Sequence, residues 1–201
     1  MLTSTARGTA RKNVRAAILD AARRLYFAHG ADGVSARKIA QAAGCSPTAL
    51  YLYYRNIDDL LEHLRMEGHA LLAGSLRRVD PALPAVEQVR AMGRAYYEFG
   101  MKHPHYYALM FSLRSTETPR REAVHREMQT LMLLRDVVRT GMDRREIRRD
   151  LDVMVATNAL WAQIHGLTAL AVSRLLMETA PGQQSEVLEA VLDGAARWLA
   201  P

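Results

Sequence analysis

One stretch near the N-terminus most constrains the fold of this chain, because it contains the end of one helix and the start of another. Ser35 can accept a backbone hydrogen bond as the N-cap of a helix. Ile39, Ala40 and Ala43 then recur at the spacing of one apolar helical face. Gly44 can adopt the left-handed conformation that ends a helix. These residues predict a short amphipathic helix that stops abruptly.

A second helix begins directly after this stop. Ser46 followed by Pro47 is an N-cap with proline at the first helical position. Leu50 is spaced to point back between the two helices, where a side chain larger than that of Ala40 would push them apart. The pattern predicts a tight helix-turn-helix.

Positive charge is concentrated around this hairpin. Residues 1–56 contain nine Lys and Arg against two Asp, whereas the remaining residues contain 18 basic and 19 acidic side chains. The formal net charge of +6 therefore belongs to the hairpin region. Helical hairpins with a glycine turn also occur in proteins that bind no nucleic acid, but the basic charge favours a DNA-binding domain.

The composition is that of an ordinary globular protein. The 201 residues are 49% hydrophobic and 24% charged, which is enough for one sizeable core or two small domains. Cys45 is the only cysteine, so no intramolecular disulfide can form, and we interpret it as a packing residue. The sequence has neither a signal-peptide core nor a run long enough to span a membrane, so we expect a cytoplasmic protein.

The hairpin and its surroundings carry a family signature. Gly30, VSARKIA at 34–40, AGCS at 43–46 and LYLYYRN at 50–56 resemble the N-terminal domain of TetR-family transcriptional repressors. The resemblance implies that residues 1–57 form a three-helix DNA-binding domain with a basic N-terminal arm. It also implies that residues 58–201 form a helical ligand-binding and dimerisation domain.

The candidate DNA contacts divide into phosphate contacts and base contacts. Arg37 and Lys38 lie early in the first helix of the hairpin, where they can reach the DNA backbone. The first turn of the second helix offers Thr48 for a hydrogen bond or a thymine methyl group, and Pro47 and Ala49 for apolar contacts. The full candidate set is Arg37, Lys38, Ser46, Pro47, Thr48, Ala49, Tyr51, Tyr53, Arg55 and Asn56.

The resemblance assigns further roles after the second helix. Tyr51 matches the family tyrosine that bonds a phosphate, and Tyr53 and Asn56 lie near the same backbone. Many family members carry a lysine where this chain has Ile57, at the start of the next helix. Arg55 is the candidate to replace that phosphate contact.

The segment before the hairpin is expected to contain an arm and one helix. Residues 1–12 are small, polar and basic, which fits either a DNA-contacting arm or a solvated tail. A helix is expected from Asn13 to His29, ended by Gly30. Tyr54 is expected to fill the core of this small domain.

Beyond residue 57 the apolar period predicts only helices, so the expected fold class is all-α with about nine helices in total. The expected spans are 57–79, 85–102, a short helix within 103–111, 119–146, 152–178 and 184–199, with a loop over 112–118. The helix from residue 57 is apolar on more than one side, so we expect it to link the two domains mechanically.

The C-terminal part carries a second resemblance. Residues 97–111 and WAQIHGL at 161–167 look like the WHG-type ligand-binding domain of some TetR-family regulators. Several aromatic and methionine side chains can line a cavity for an apolar or aromatic molecule, with His165 or Tyr107 as its polar group; a plain core is the alternative. The candidate ligand-binding residues are Tyr96, Phe99, His103, Tyr107, Met110, Phe111, Trp161 and His165.

Small residues mark the expected dimer interface. A glycine inside a helix costs about 1 kcal/mol relative to alanine, so the absent side chain of Gly166 suggests close approach of another helix. The last two helices, packed against their copies, would form a four-helix interface, as the family also implies. The candidate interface residues are Ala162, Gly166, Ala169, Ser173, Val187, Val191 and Ala195.

These expectations combine into a ligand-responsive transcriptional regulator. It would be a homodimeric repressor that binds a near-palindromic operator in double-stranded DNA and releases it when a small-molecule effector binds. We expect no catalytic residues, no cofactor and no membrane partner. We also expect no metal site, because the histidines at 103, 105, 125 and 165 lack companion ligands at metal-binding spacing. An enzyme of unknown type and a sequence-indifferent DNA-coating protein are the alternatives.

Overall fold

The computed structural model describes residues 4–111, 121–177 and 182–201. Within these ranges the regular structure is entirely helical, with nine α-helices, one short 3-10 turn at Ala31–Gly33 and no strand. The expected all-α fold class is confirmed.

The helices are α1 (Ser4–His29), α2 (Ala36–Ala43), α3 (Pro47–Tyr51), α4 (Ile57–Leu76), α5 (Ala85–Lys102), α6 (Pro104–Phe111), α7 (Arg121–Asp143), α8 (Val153–Val172) and α9 (Gln183–Leu199). The chain divides into an N-terminal unit, Met1–Glu67 with Leu109–Glu117, and a C-terminal unit, Gly68–Ala108 with Thr118–Pro201. The division therefore falls inside α4 and α6, whereas the sequence-based domain boundary follows residue 57.

Two helix boundaries differ most from the sequence-based expectation, and α4 also ends slightly early, at Leu76 rather than at residue 79. Helix α1 begins at Ser4 rather than at Asn13, because no proline interrupts residues 4–12 and their backbone continues the same helix. Helix α8 ends at Val172 rather than near residue 178, since Arg174 has a φ of 56°, in the left-handed region that terminates helices. Leu175 consequently lies beyond the helix and is 67% exposed, not on its apolar stripe.

Helix α7 lies within its expected span over the part of the chain that the structure describes. Its expected start at residue 119 and the expected loop over 112–118 lie outside the described residues. The helix ends at Asp143, slightly before the expected residue 146, and Arg145 then adopts a φ of 62°. The break between the expected spans 119–146 and 152–178 is therefore confirmed.

The N-terminal unit is built around one small core. Helix α1 packs against α2, and α2 packs against α3. Ile18, Ile39, Leu50 and Tyr54 are all buried in this core, and Tyr54 also donates a hydrogen bond from its hydroxyl to the carbonyl oxygen of Arg15 at 3.3 Å. The expected core role of Tyr54 is confirmed.

Helix α5 is central to the C-terminal unit, where it packs against α7, α8 and α9. Two of its glycines permit this close approach. A Cβ atom at Gly93 would lie 2.5 Å from Cδ2 of Leu192, and one at Gly100 would lie 2.3 Å from Cγ2 of Thr168. Thr168 is fully buried and its hydroxyl donates to the carbonyl oxygen of Ile164 at 2.7 Å, so it has little freedom to move away.

We expect the substitution Gly100→Ala to lower the free energy of unfolding by about 1–3 kcal/mol, because the added methyl group would overlap Thr168. Gly74→Ala is the matched control, since a Cβ atom at Gly74 meets nothing within 4 Å. The control is expected to raise the free energy of unfolding by up to about 1 kcal/mol through helix propensity. Urea unfolding followed by circular dichroism measures both, and an unchanged Gly100→Ala midpoint would contradict this packing.

Candidate functional site

The helix-turn-helix has the caps that its sequence predicts. The Oγ atom of Ser35 accepts a hydrogen bond from the backbone nitrogen of Lys38 at 3.3 Å. The Oγ atom of Ser46 accepts one from the backbone nitrogen of Ala49 at 3.1 Å. Between the two helices, Gly44 has φ 68° and ψ 33°, the left-handed conformation expected of it. Both helix starts and the turn are therefore specified by nearby residues.

The contact between the two helices of the hairpin is small and apolar. Ala40 is 1% exposed and Leu50 is fully buried. Cys45 is half-buried and packs against the same core. The predicted packing roles of these three residues are confirmed, and they explain why the helices lie so close together.

Most of the candidate DNA-contacting side chains are exposed on this hairpin. The exposed members are Arg37, Lys38, Ser46, Pro47, Thr48, Tyr51 and Arg55, whereas Ala49, Tyr53 and Asn56 are half-buried. Leu52, which is not among the predicted contacts, is 76% exposed beside Tyr51, which is 51% exposed. Large apolar side chains exposed side by side are typical of a contact surface. The short length of α3 places both at its end.

The start of α4 gives two of the candidate residues a structural role. Oδ1 of Asn56 accepts a hydrogen bond from the backbone nitrogen of Asp59 at 2.7 Å, and thereby caps the helix. Oδ2 of Asp59 accepts one from the backbone nitrogen of Arg55 at 2.9 Å in return. The side chain of Arg55 stays 70% exposed, with Nε 3.9 Å from the Asp59 carboxylate. Ile57 packs against the core of the unit.

Four candidate ligand-binding residues come together in the C-terminal unit, and we call Tyr96, Tyr107, Trp161 and His165 the aromatic cluster. The hydroxyl oxygens of Tyr96 and Tyr107 each lie 2.9 Å from Nδ1 of His165. Nε1 of Trp161 donates to the hydroxyl oxygen of Tyr96 at 3.4 Å. The Tyr107 hydroxyl also lies 3.1 Å from the carbonyl oxygen of His165, to which it can donate.

Burial favours the uncharged forms of this cluster. It raises the pKa of Tyr96 to about 12, and it raises the pKa of Tyr107 above its ordinary value. It lowers the pKa of His165 below its ordinary value of 6.5. A neutral imidazole has one donor and one acceptor nitrogen, so the tautomer of His165 decides whether Nδ1 accepts a phenolic proton or donates to a phenol oxygen.

The other four candidate ligand-binding residues are divided between the two units. Phe99 and His103 contact each other with ring centroids 5.3 Å apart, and burial lowers the pKa of His103. Met110 and Phe111 belong to the N-terminal unit. The structure therefore does not bring all eight candidates together within one unit, because the unit boundary crosses α6.

The candidate interface residues of α8 lie on an open surface. Ala162 and Ser173 are exposed, and Ala169 is half-buried. A Cβ atom at Gly166 would meet nothing within 4 Å, so no part of the described chain explains this glycine. Leu170, on the same helix, is 45% exposed.

Helix α9 also carries exposed candidate interface residues, but one prediction is wrong there. Val187 is 39% exposed and Val191 is half-buried. Ala195 is only 7% exposed and belongs to the core of its own unit, so it is not an outward-facing residue. Ala190 is exposed, and Gly194 has open space where a Cβ atom would lie. The helical spacing from Val187 to these two residues is the signal that could have identified them.

Two further features concern only the described residues. Among them, no three His, Cys, Asp or Glu side chains are placed to hold a metal ion. No helix formed by these residues is long and apolar enough to cross a membrane.

Two family models match the chain. Residues 18–64 match the family described as "Bacterial regulatory proteins, tetR family", and residues 89–195 match "Tetracyclin repressor-like, C-terminal domain". The first match contains α2 and α3, and the second contains the aromatic cluster.

Individual proteins are similar over different lengths. An HTH-type transcriptional regulator of Mycobacterium tuberculosis is 32% identical over 108 residues, which are 52% of this chain and 46% of that protein. The chain thus matches less than half of the length of this curated relative.

Solved structures match nearly the whole chain. A protein of unknown function from Rhodococcus sp. RHA1 is 26% identical with a TM-score of 0.82, covering 94% of this chain and 96% of that one. The transcriptional regulator FadR from Bacillus subtilis, solved in complex with stearoyl-CoA, is 19% identical with a TM-score of 0.72. The match covers 91% of this chain and 98% of that one. The second likeness concerns the fold alone.

The burial of His165 predicts that the stability of the protein depends on pH. Because the pKa of His165 is lowered in the folded chain, the unfolded chain binds more protons below pH 6.5, and the free energy of unfolding should fall as the pH decreases through this range. His165→Asn should flatten this dependence, whereas His105→Asn, at an exposed position on α6, should not. Urea unfolding at a series of pH values measures the slopes. If the free energy of unfolding depends on pH equally in the wild type and in His165→Asn, His165 is not the group responsible for this dependence.

Proposed function

This chain belongs to the tetR family of bacterial regulatory proteins, and we propose that it is a repressor that releases a palindromic operator when an apolar effector binds its C-terminal unit. Family members are DNA-binding transcriptional regulators, not enzymes. The observation that carries the proposal is the capped hairpin of α2 and α3, whose basic and polar side chains are exposed.

In the proposed complex, the first turn of α3 enters the major groove. The Oγ atom of Ser46 is engaged as a cap, so it orients this turn while Pro47 and Thr48 remain exposed for base contacts. Arg37 and Lys38, exposed at the start of α2, would contact phosphates and set the register. Their contribution would be affinity, and that of Thr48 would be sequence preference.

The start of α4 would supply a further phosphate contact. Asn56 caps this helix, and its remaining backbone N–H groups favour a nearby anion. Arg55 is exposed at this point, so its guanidinium would take the place of the lysine that many family members carry at the position of Ile57.

We expect Tyr51→Phe to weaken binding to every DNA sequence by about threefold to tenfold, because it removes only the hydroxyl that would bond a phosphate. Thr48→Ala should instead reduce the preference at one base pair of the operator. Both effects are measured by titrating protein into a labelled operator, which is first selected from a random DNA pool, and following fluorescence anisotropy. Tyr97→Phe, in the C-terminal unit, is the control and should bind as the wild type does. Unchanged affinity and selectivity in both variants would show that α3 is not the recognition helix.

The proposed dimer uses the open surface of α8 and α9. Gly166 and Gly194 leave space for another helix at close range, and Leu170 and Val187 expose apolar side chains beside them. A second copy related by a two-fold axis would cover this surface with its own α8 and α9. Two recognition helices about 34 Å apart would then contact successive major grooves of a palindrome.

We expect Gly166→Glu to convert the dimer into a monomer, since it would place one carboxylate from each copy in the interface. Folding should be preserved, because a Cβ atom at Gly166 meets nothing within 4 Å among the described residues and the position lies on the surface of α8. Gly74→Glu is the matched control, at another helical glycine with open space. Sedimentation velocity gives the oligomeric state, and circular dichroism verifies the fold. A Gly166→Glu protein that remains dimeric would exclude this surface as the interface.

The effector site is proposed at the aromatic cluster, in a C-terminal unit of the WHG type. The residues of that motif support this, since Trp161 and His165 are both in the cluster and Gly166 follows directly. The stearoyl-CoA bound by FadR of Bacillus subtilis makes long acyl compounds the first class of effector to test. The proposed site of action is the cytoplasm, where operator DNA is accessible.

The proposed response is a shift between two arrangements of the dimer. Effector binding can change DNA affinity only by its own difference in affinity for the two arrangements. Helices α4 and α6 each contribute residues to both units, so a displacement of either helix is transmitted covalently. Within the N-terminal unit, buried Arg65 of α4 donates from Nε to the carbonyl oxygen of Leu109 of α6 at 3.0 Å. This bond would make the two helices move together.

A further inference from the structure

Leu52 is a large apolar residue that the helix-turn-helix holds outward. It is 76% exposed, whereas Leu50, two positions earlier, is fully buried in the core of the N-terminal unit. Leu52 has φ −73° and ψ −18°, so the helical course of α3 continues through it. The backbone nitrogen of Tyr54 still donates to the carbonyl oxygen of Leu50 at 3.1 Å. The core of the unit is therefore formed without the side chain of Leu52, which projects from a helical surface.

Leu52 lies on the same face of α3 as Thr48. Residues four positions apart in a helix are neighbours on its surface, with about 5–6 Å between their Cβ atoms. Thr48 is exposed, like Leu52. Successive residues are separated by about 100° around the helix, which places Tyr51 on the other side of Thr48. An orientation in which Thr48 contacts base edges thus brings Leu52 to the bases as well, and leaves Tyr51 beside a phosphate.

The chemistry of the major groove offers Leu52 one apolar group, the 5-methyl group of thymine. Phosphates and the polar base edges would lose hydration against a leucine side chain without gaining a hydrogen bond. The exposed side chains of Arg37, Lys38 and Arg55 make the same hairpin a surface for a polyanion. An apolar side chain among these cations suits a thymine methyl group better than it suits the DNA backbone.

We propose that Leu52 is a specificity-determining residue, which selects a thymine by packing against its 5-methyl group. One helical turn is about 5.4 Å, so this thymine lies within about two base pairs of the pair that Thr48 contacts. The inference rests on the proposed function and names a chemical group that α3 reads. In a two-fold dimer each half-site carries one such thymine.

Base analogues test whether a methyl group is read. The operator selected from a random DNA pool is labelled, and each thymine is replaced in turn by deoxyuridine, in both half-sites, which removes only the methyl group. At one position per half-site we expect the replacement to weaken binding of the wild type by about threefold to tenfold, measured by fluorescence anisotropy. At that position 5-methylcytosine should bind more tightly than cytosine, because it restores the methyl group. If no thymine responds to the loss of its methyl group, the proposal is overturned.

Substitutions at Leu52 show which side chain reads the methyl group. Leu52→Ala should bind the thymine operator about threefold to tenfold more weakly than the wild type does, and should bind the deoxyuridine operator equally well. Leu52→Met keeps an apolar side chain of similar size and should still prefer thymine. Thr48→Ala should also keep the preference at this position. A Leu52→Ala protein that distinguishes thymine from deoxyuridine at every position as the wild type does would refute the contact.

Leu83→Ala is the matched control for the loss of an exposed leucine. Leu83 is 36% exposed and lies in the C-terminal unit, so this variant should bind both operators as the wild type does. Circular dichroism verifies the fold of each variant. Folding should be preserved in Leu52→Ala, since the exposed side chain contributes little to the core.

The same titrations separate this inference from the proposed function. Selectivity that changes in Thr48→Ala but not in Leu52→Ala would support α3 as the recognition helix and overturn the thymine contact of Leu52. Thymine selection by Leu52 within an operator that lacks two-fold symmetry would support this inference and refute the palindromic operator. A wild-type protein that selects no sequence from the pool would overturn both.

Discussion

The close approach of α5 to its neighbours is the constraint on which the C-terminal unit depends. Gly93 and Gly100 lie on one face of α5, where a methyl group would overlap Leu192 of α9 or Thr168 of α8. Tyr96 lies between these glycines in the same helix, so the spacing that they permit also carries its hydroxyl to within 2.9 Å of His165. Packing and polar chemistry are therefore inseparable here: a wider spacing would break the hydrogen bonds of the aromatic cluster before it exposed the core.

The N-terminal unit is organised by local hydrogen bonds instead. Its turn and both helix starts depend on Gly44 and on two serine caps, each of which bonds to a residue three positions along the chain. Long-range polar contacts add to these local bonds, among them those of Arg65, which is 8% exposed and bonds both Glu62 and the carbonyl oxygen of Leu109. A buried guanidinium requires such partners, so the end of α6 is held by the charge of α4.

This difference explains what the sequence could predict. The hairpin follows from caps, a glycine and apolar spacing within about twenty residues, so its helices and turn are predictable from local patterns. The close contacts of Gly93 and Gly100 involve residues far along the chain, which no local pattern reveals. The helical period alone does not separate the inner and outer faces of α9, and it therefore predicts an interface role for Ala195, which is buried, rather than for Gly194, where a Cβ atom would meet open space. Met110 and Phe111 were grouped with the cluster because α6 was treated as belonging to one domain.

His165 connects the stability of the C-terminal unit with the aromatic cluster. Burial lowers its pKa, and its Nδ1 lies 2.9 Å from the hydroxyl oxygens of both Tyr96 and Tyr107. A protonated imidazole would lose hydration at this position and could accept a hydrogen bond at neither ring nitrogen. The packing of α5 against α8, which brings these groups together, therefore also makes the stability of the unit sensitive to protonation.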